Sequence, residues 1–135
     1  MNHWLLKEEP TSYSFTDLIR DGETEWSGVS NALALIHLRQ FVAGDRAFFY
    51  NTGKEKAIVG IVEVVAPSEP QDKAVKDVRV TVRPVKLLKN PVSLARVKAD
   101  KSLSGWALAK ISRLSVMPVT ATQWRRVLEL SEKPT

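Results

Sequence analysis

The alternation of apolar and polar positions divides the chain into short segments whose period switches between that of strands and that of helices. Trp4-Leu5-Leu6-Lys7 reads as a short strand, closed by Glu8-Glu9-Pro10, because proline donates no ladder hydrogen bond and restricts the residue before it. Ser14 can cap a short helix through Phe15, Leu18 and Ile19, with Asp17 in its first turn and Gly22 ending it. A second helix opens at Ser30 or Asn31 and runs through Leu33, Leu35, Ile36, Leu38 and Phe41 to end before Gly44-Asp45. Its apolar residues are so frequent that much of it is expected to be buried against a sheet.

From Arg46 the period is that of strands. Ala47 to Tyr50, a polar turn from Asn51 to Lys56, and Ala57 to Val65 together carry a β-hairpin signature. Gly60 within the second arm marks a bulge, a bend or the close approach of another backbone, since glycine otherwise weakens a strand interior. Pro67 and Pro70 end that arm, and the stretch from Ala66 to Lys73 reads as a surface loop. Val78, Val80 and Val82 then alternate with Arg79, Thr81 and Arg83, the pattern of a strand with one buried and one wet face. Ser93 can cap a short helix containing Leu94 and Val97. Thr120, followed three residues later by Gln123, writes a capping box ahead of Trp124, Val127 and Leu128. Trp106, between Ser102 and Lys110, reads as a core anchor rather than a lid. About five or six strands interrupted by short helices, with no βαβ alternation, predict an α+β fold built on a largely antiparallel, partly closed barrel.

Length and composition narrow this further. A chain of 135 residues leaves little room for a second independent core, so residues 1–135 are expected to form one domain. Apolar residues at 44% and charged residues at 26% are the balance of a globular protein rather than a disordered one. The longest apolar run, Ala57 to Val62, is much too short to span a bilayer, and Met1-Asn2-His3-Trp4 begins no signal peptide. A cytoplasmic protein without a membrane partner is the expectation. The net charge of +5 favours phosphate backbones or anionic ligands, a weak hint alone.

Candidate chemistry is sparse. The absence of cysteine excludes disulfides, thiolate catalysis and cysteine-based zinc sites. His3 and His37 fit neither a zincin helix nor a zinc finger, and neither stands in a nucleophile-elbow setting. Glu8 and Glu9 read as solvated loop charge, and the six glycines spell no phosphate-binding loop. Neither a metal nor a cofactor is expected. What remains is Trp26 beside Ser27 and Gly28, where a flat ring meets a hydroxyl and a backbone that a ligand can approach closely. Asn31 adds an amide able to pair with a base edge, and Tyr50 a second ring at a strand end. A Trp before a turn also serves core packing, and an Asn at a helix start also serves as a cap.

Five segments together resemble the EVE domain: Trp4-Leu5-Leu6-Lys7-Glu8-Glu9-Pro10, Trp26-Ser27-Gly28-Val29-Ser30-Asn31, Gly44-Asp45 with Phe48-Phe49-Tyr50, Ile58-Val59-Gly60-Ile61, and Arg113-Leu114-Ser115-Val116-Met117-Pro118-Val119. The resemblance covers nearly the whole chain. It implies a PUA-like pseudo-barrel, related to the YTH and SRA readers of modified bases, with a non-catalytic pocket for a modified nucleobase of DNA or RNA. Carried onto this sequence, it places Trp26, Ser27, Val29 and Asn31 along the pocket, with Tyr50 and Lys7, and has Arg113 and Ser115 help close it. Such a pocket would take a flipped base, stack it on an aromatic face and read its edge, with Lys7 and Arg113 neutralising nearby phosphate. The sequence departs from the family pattern at Ser30, where Arg is usual, and at Asn51, where His often follows the strand-end tyrosine. Two other classes compete with this reading: an enzyme acting on a nucleobase or nucleotide, and an adaptor for a small metabolite or protein.

Overall fold

The computed structural model describes residues 2–26, 31–66 and 79–134. The elements run β1 (His3–Glu8), α1 (Phe15–Asp21), β2 (Thr24–Trp26), α2 (Ala32–Leu38), β3 (Arg46–Asn51), β4 (Ala57–Ala66), β5 (Val80–Ser93), α3 (Leu94–Ala99), α4 (Ala107–Lys110), β6 (Val116–Val119) and α5 (Ala121–Ser131). The six strands form one mixed sheet in the order β2-β5-β4-β3-β1-β6, curled into a half-barrel with the helices around it. Only β1 and β3 run parallel, with Lys7 beside Tyr50 and Glu8 beside Asn51; the other pairs are antiparallel. The PUA-like α+β expectation holds.

Local chemistry explains most element boundaries. Ser14 Oγ accepts from Asp17 N and the Asp17 carboxylate accepts from Ser14 N, a reciprocal capping box. Thr120 and Gln123 repeat the device at α5, and Ser93 Oγ accepts from Arg96 N to start α3. Each such cap contributes about 1 kcal/mol. Gly22 takes φ 80°, a left-handed conformation glycine adopts without a Cβ penalty, and ends α1.

Gly60 sits beside a bulge: Phe49 pairs with Gly60 but Tyr50 with Ile58, leaving Val59 as the extra residue. The group that closes on it is the Phe15 ring rather than a backbone, since a Cβ at Gly60 would lie 2.5 Å from Phe15 Cε2. That approach seats α1 on the sheet. On the opposite side of the core, Phe48 stacks on Trp124 of α5 at 4.0 Å between centroids. Trp4 stacks on Phe41 at 4.7 Å. Asp45 ties the same region together, buried, accepting from Trp4 Nε1 at 3.0 Å, Val42 N at 3.1 Å and Asn2 N at 3.1 Å. Trp106 is buried and donates Nε1 to the Pro118 carbonyl at 3.3 Å, the anchor expected of it.

Four features differ from the sequence expectation. The second helix stops at Leu38, and Phe41 reaches the core from the following loop. Its burial is one-sided: Ala34, Leu35 and Leu38 are buried while Leu33 and Ile36 are 43% and 52% exposed, because only one face of α2 meets the sheet. The strand after the loop runs on through Pro84 and Pro91 to Ser93, tolerating both prolines by shifting register against β4. The sheet also gains two short edge strands, β2 and β6, whose partners are remote in sequence. Pro67, Pro70 and Val78 lie outside the described residues. Among the described residues, no helix is long and apolar enough to cross a membrane, and no group of three or more histidines or carboxylates is arranged to hold a metal ion.

Candidate functional site

The C-terminal end of β1 organises two cavities. Successive side chains of a strand point to opposite faces, so Lys7 and Glu8 separate: Lys7 goes with Tyr50 on one face, Glu8 with Asn51 on the other.

On the Lys7 face lies a cavity of about 330 Å³, lined by Lys7, Tyr50, Thr52, Gly53, Lys56, Leu94, Lys98, Leu108, Ala109, Lys110 and Ser112. Five separate stretches of chain meet there: the end of β1, the β3–β4 turn, α3, α4 and the turn after α4. Tyr50 and Leu108 are buried and give it an apolar floor. The Lys7 ammonium donates to the Ser112 carbonyl at 3.0 Å and sits 5.6 Å from the centre of the Tyr50 ring. Partial burial lowers the Lys7 pKa and raises that of Tyr50, since desolvation penalises each charged form. Ser115 joins through its backbone, its carbonyl accepting from Lys7 N at 2.9 Å. Arg113 lies exposed in the turn after Ser112 and does not line this cavity.

On the Glu8 face lies a smaller cavity of about 220 Å³, lined by Glu8, Tyr13, Thr24, Glu25 and Trp26. Trp26 ends β2, is buried, and meets Phe49 edge-on at 6.2 Å and 84°. Glu8 is half-buried, and its Oε1 accepts from Glu9 N at 3.1 Å. Burial raises its pKa, with the Glu9 amide opposing and the Glu9 charge adding to the shift. Tyr13 donates its hydroxyl to Asp21 at 2.8 Å, and burial raises its pKa too.

The residues expected at the site therefore divide between two cavities. Lys7 and Tyr50 come together with a backbone link to Ser115, while Trp26 stands on the other face. Asn31 is the N-cap of α2, its Oδ1 accepting from Ala34 N at 3.0 Å, so the capping role foreseen for it is observed. Ser27 and Val29, with Gly28 and Ser30, lie outside the described residues. Asn51 is buried, donates to Glu55 at 2.8 Å, and faces a third cavity with Phe15, Val59 and Leu88.

Glu8, expected to be solvated charge, is half-buried and lines a cavity together with Trp26. The signal available was Pro10 closing the strand directly after it, which keeps Glu8 in ladder register with Asn51. Lys56, Lys98, Lys110, Thr52 and Ser112 converge only through tertiary packing and share no local pattern.

Comparison with known proteins gives a consistent result. The EVE domain sequence profile matches residues 2–130. Thymocyte nuclear protein 1 of Gallus gallus is 32% identical over 167 aligned residues, covering 97% of this chain and 69% of that protein. Among solved structures, human thymocyte nuclear protein 1 in complex with DNA containing 5-methylcytosine superposes with a TM-score of 0.88 at 30% identity, covering 98% of this chain and 99% of that one. A protein from Rhodopseudomonas palustris solved by NMR superposes with a TM-score of 0.89 at 40% identity, covering 98% of this chain and 94% of that one.

Proposed function

This chain belongs to the EVE domain family, and on that premise we propose that it is a non-catalytic module that holds a modified nucleobase of DNA or RNA. The observation that carries this reading is the match, over 98% of the chain, to a human relative in complex with 5-methylcytosine-containing DNA. The base is taken out of its strand and seated at the Trp26 cavity, where the tryptophan supplies the aromatic surface. Ser27, Val29 and Asn31, within five residues of Trp26 in sequence, are the further residues we assign to base contact. Glu8, in the lining of the same cavity, suits the exocyclic amine of a cytosine, because a carboxylate accepts from N4.

Lys7 and Tyr50 support the site from the other face of β1, with Arg113 and Ser115 on the neighbouring turn. Recognition then has three parts: stacking, one edge contact, and basic residues for the backbone. None of them needs a nucleophile, and the half-buried Glu8 acts as a hydrogen-bond acceptor rather than as a base.

The test is a panel of modified and unmodified nucleosides and oligonucleotides, of DNA and RNA, read by calorimetry with Trp26→Leu alongside. The leucine stays apolar and removes the ring, and thermal melting of the variant checks that the smaller side chain leaves it folded. At least one modified base should bind more tightly than its unmodified parent, and Trp26→Leu should weaken binding of that base by about 1–3 kcal/mol, the usual contribution of a stacked base, and abolish the preference. A panel in which modification never changes affinity would overturn the reading.

A further inference from the structure

We infer that the lysine-lined cavity beside Tyr50 is a phosphate site, which holds the nucleic-acid backbone next to the seated base. Four lysines line this one space, Lys7 from β1, Lys56 from the hairpin turn, Lys98 from α3 and Lys110 from α4. No aspartate or glutamate is among the described residues that line it. None of the four lysines stands in an ion pair among the described residues, although eight such pairs occur elsewhere among those residues. Like charges gathered without counter-charge repel one another, so this arrangement works against the unliganded state and favours an anion.

The geometry also grades the four. Lys7 is half-buried, fixed by the Ser112 carbonyl and the Tyr50 ring. Lys56, Lys98 and Lys110 are exposed and form the rim. Lys56 is the one non-glycine residue with positive φ among the described residues, at 45°. Its carbonyl accepts from Leu94 N at 2.8 Å, which ties that unusual turn to the first residue of α3. Leu94 and Lys98 stand four residues apart and share one face of α3, so the same helix turn supplies both an apolar wall and a charge. The Ser112 hydroxyl adds a neutral donor within the lining, whereas the Thr52 hydroxyl is turned to Glu9. Glu9 touches this turn from outside the lining, its carboxylate accepting from Thr52 Oγ1 at 3.2 Å.

A cavity with a cationic rim, a hydroxyl donor and no carboxylate in its lining suits phosphoryl oxygens, whether of a phosphodiester or of a free nucleotide. Its position argues for the phosphodiester. Lys7 of this cavity and Glu8 of the Trp26 cavity are consecutive residues at the end of one strand, so a nucleic-acid strand passing over that end of β1 would set a base on one face and a neighbouring phosphate on the other. The inference rests on the nucleic-acid reading for the origin of the phosphate, but the anion chemistry stands on these residues alone.

The test uses the full chain and the double variant Lys98→Ala/Lys110→Ala, with Lys133→Ala removing one charge outside the cavity. Unmodified single-stranded DNA is titrated from low to high salt, and the slope of log K against log salt is read. Each lost phosphate contact should flatten that slope by about 0.7, so the double variant should lose about 1.4. Lys133→Ala should lose almost none. A modified nucleoside without phosphate should bind the wild type and the double variant equally. Its 5′-monophosphate tests the free-nucleotide source: an advantage over the nucleoside that vanishes in the double variant would assign the cavity to a terminal phosphate as well. An unchanged slope in the double variant, or an equal flattening by Lys133→Ala, would overturn the phosphate site. If instead the slope flattens as expected but modification never alters affinity, the base-reading proposal fails while the phosphate site stands.

Discussion

Asp45 is the sharpest place to test the scaffold. Its carboxylate is 1% exposed and accepts from three donors: Trp4 Nε1, Val42 N and Asn2 N. Asp45→Ala leaves the indole and the Val42 amide buried without partners, while Asn2, nearer the surface, can turn to water. A hydrogen bond to a charged group contributes about 1.5–3 kcal/mol. Removing a buried carboxylate also relieves its desolvation penalty, which offsets part of that loss. Two stranded donors, taken together as one network rather than summed, give a cost of about 3 kcal/mol. For a chain of this size each kcal/mol lowers the melting temperature by about 3–5 °C, so a fall of about 9–15 °C is expected.

Asp45→Asn gives the decisive comparison. Its single carbonyl oxygen can occupy the Oδ2 position and keep Trp4 and Val42, leaving its own N–H groups against Asn2 N. The cost should be about half that of the alanine, measured by urea denaturation and by thermal melting at neutral pH. Alanine within 1 kcal/mol of wild type, or asparagine as damaging as alanine, would refute the view that satisfying donors is what Asp45 does.

Three further outcomes follow from other parts of the structure. Asp100 accepts from Ser102 and from Arg126, at 2.8 Å, joining α3 to α5, and these bonds hold its pKa below the ordinary aspartate range. Its contribution is therefore present at neutral pH and lost as pH falls through the depressed folded value. Asp100→Asn should cost about 1–2 kcal/mol at pH 7, and the gap to wild type should close in acid-denaturation curves. Gly60→Ala should destabilise by about 1–3 kcal/mol in urea, because the new Cβ meets the buried Phe15 ring at 2.5 Å, and Phe15→Leu in the same chain should recover part of the loss. Glu8→Gln should leave stability unchanged or raise it at pH 7, since burial disfavours the Glu8 carboxylate. The same change should weaken binding of a cytosine-type base, an outcome read by calorimetry beside thermal melting.

The sequence made visible what is decided locally. Ser14 with Asp17, and Thr120 with Gln123, are complete capping boxes within four residues, and both helices start where those pairs stand. The hairpin from Arg46 to Ala66 is likewise closed by its own turn. β2 and β6 escaped notice because three- and four-residue strands exist only through partners: Trp26 pairs with Val80, and Val116 with Leu6. Leu33 and Ile36 misled for a related reason, since periodicity reports how apolar a helix is but not how many of its faces meet the sheet.

At the site, Trp26 and the Lys7–Tyr50 pair were legible as residues of interest, and Lys7 and Tyr50 do meet. Their division between two faces was not, because it depends on the parallel register of β1 against β3. The lysine rim was least visible of all. Lys7, Lys56, Lys98 and Lys110 are spread over most of the chain and become neighbours only when α3 and α4 fold against the hairpin turn.

The most direct measurement compares two DNA oligonucleotides of one sequence, one with 5-methylcytosine and one with cytosine, titrated into the chain at fixed salt. Holding sequence and phosphate number constant cancels the backbone contribution and leaves only what the base pocket reads. At least one modified oligonucleotide in a series extended base by base from this pair should bind more tightly, with the difference abolished by Trp26→Leu. Equal affinities throughout the series, or a preference that survives loss of the Trp26 ring, would contradict the base-reading proposal.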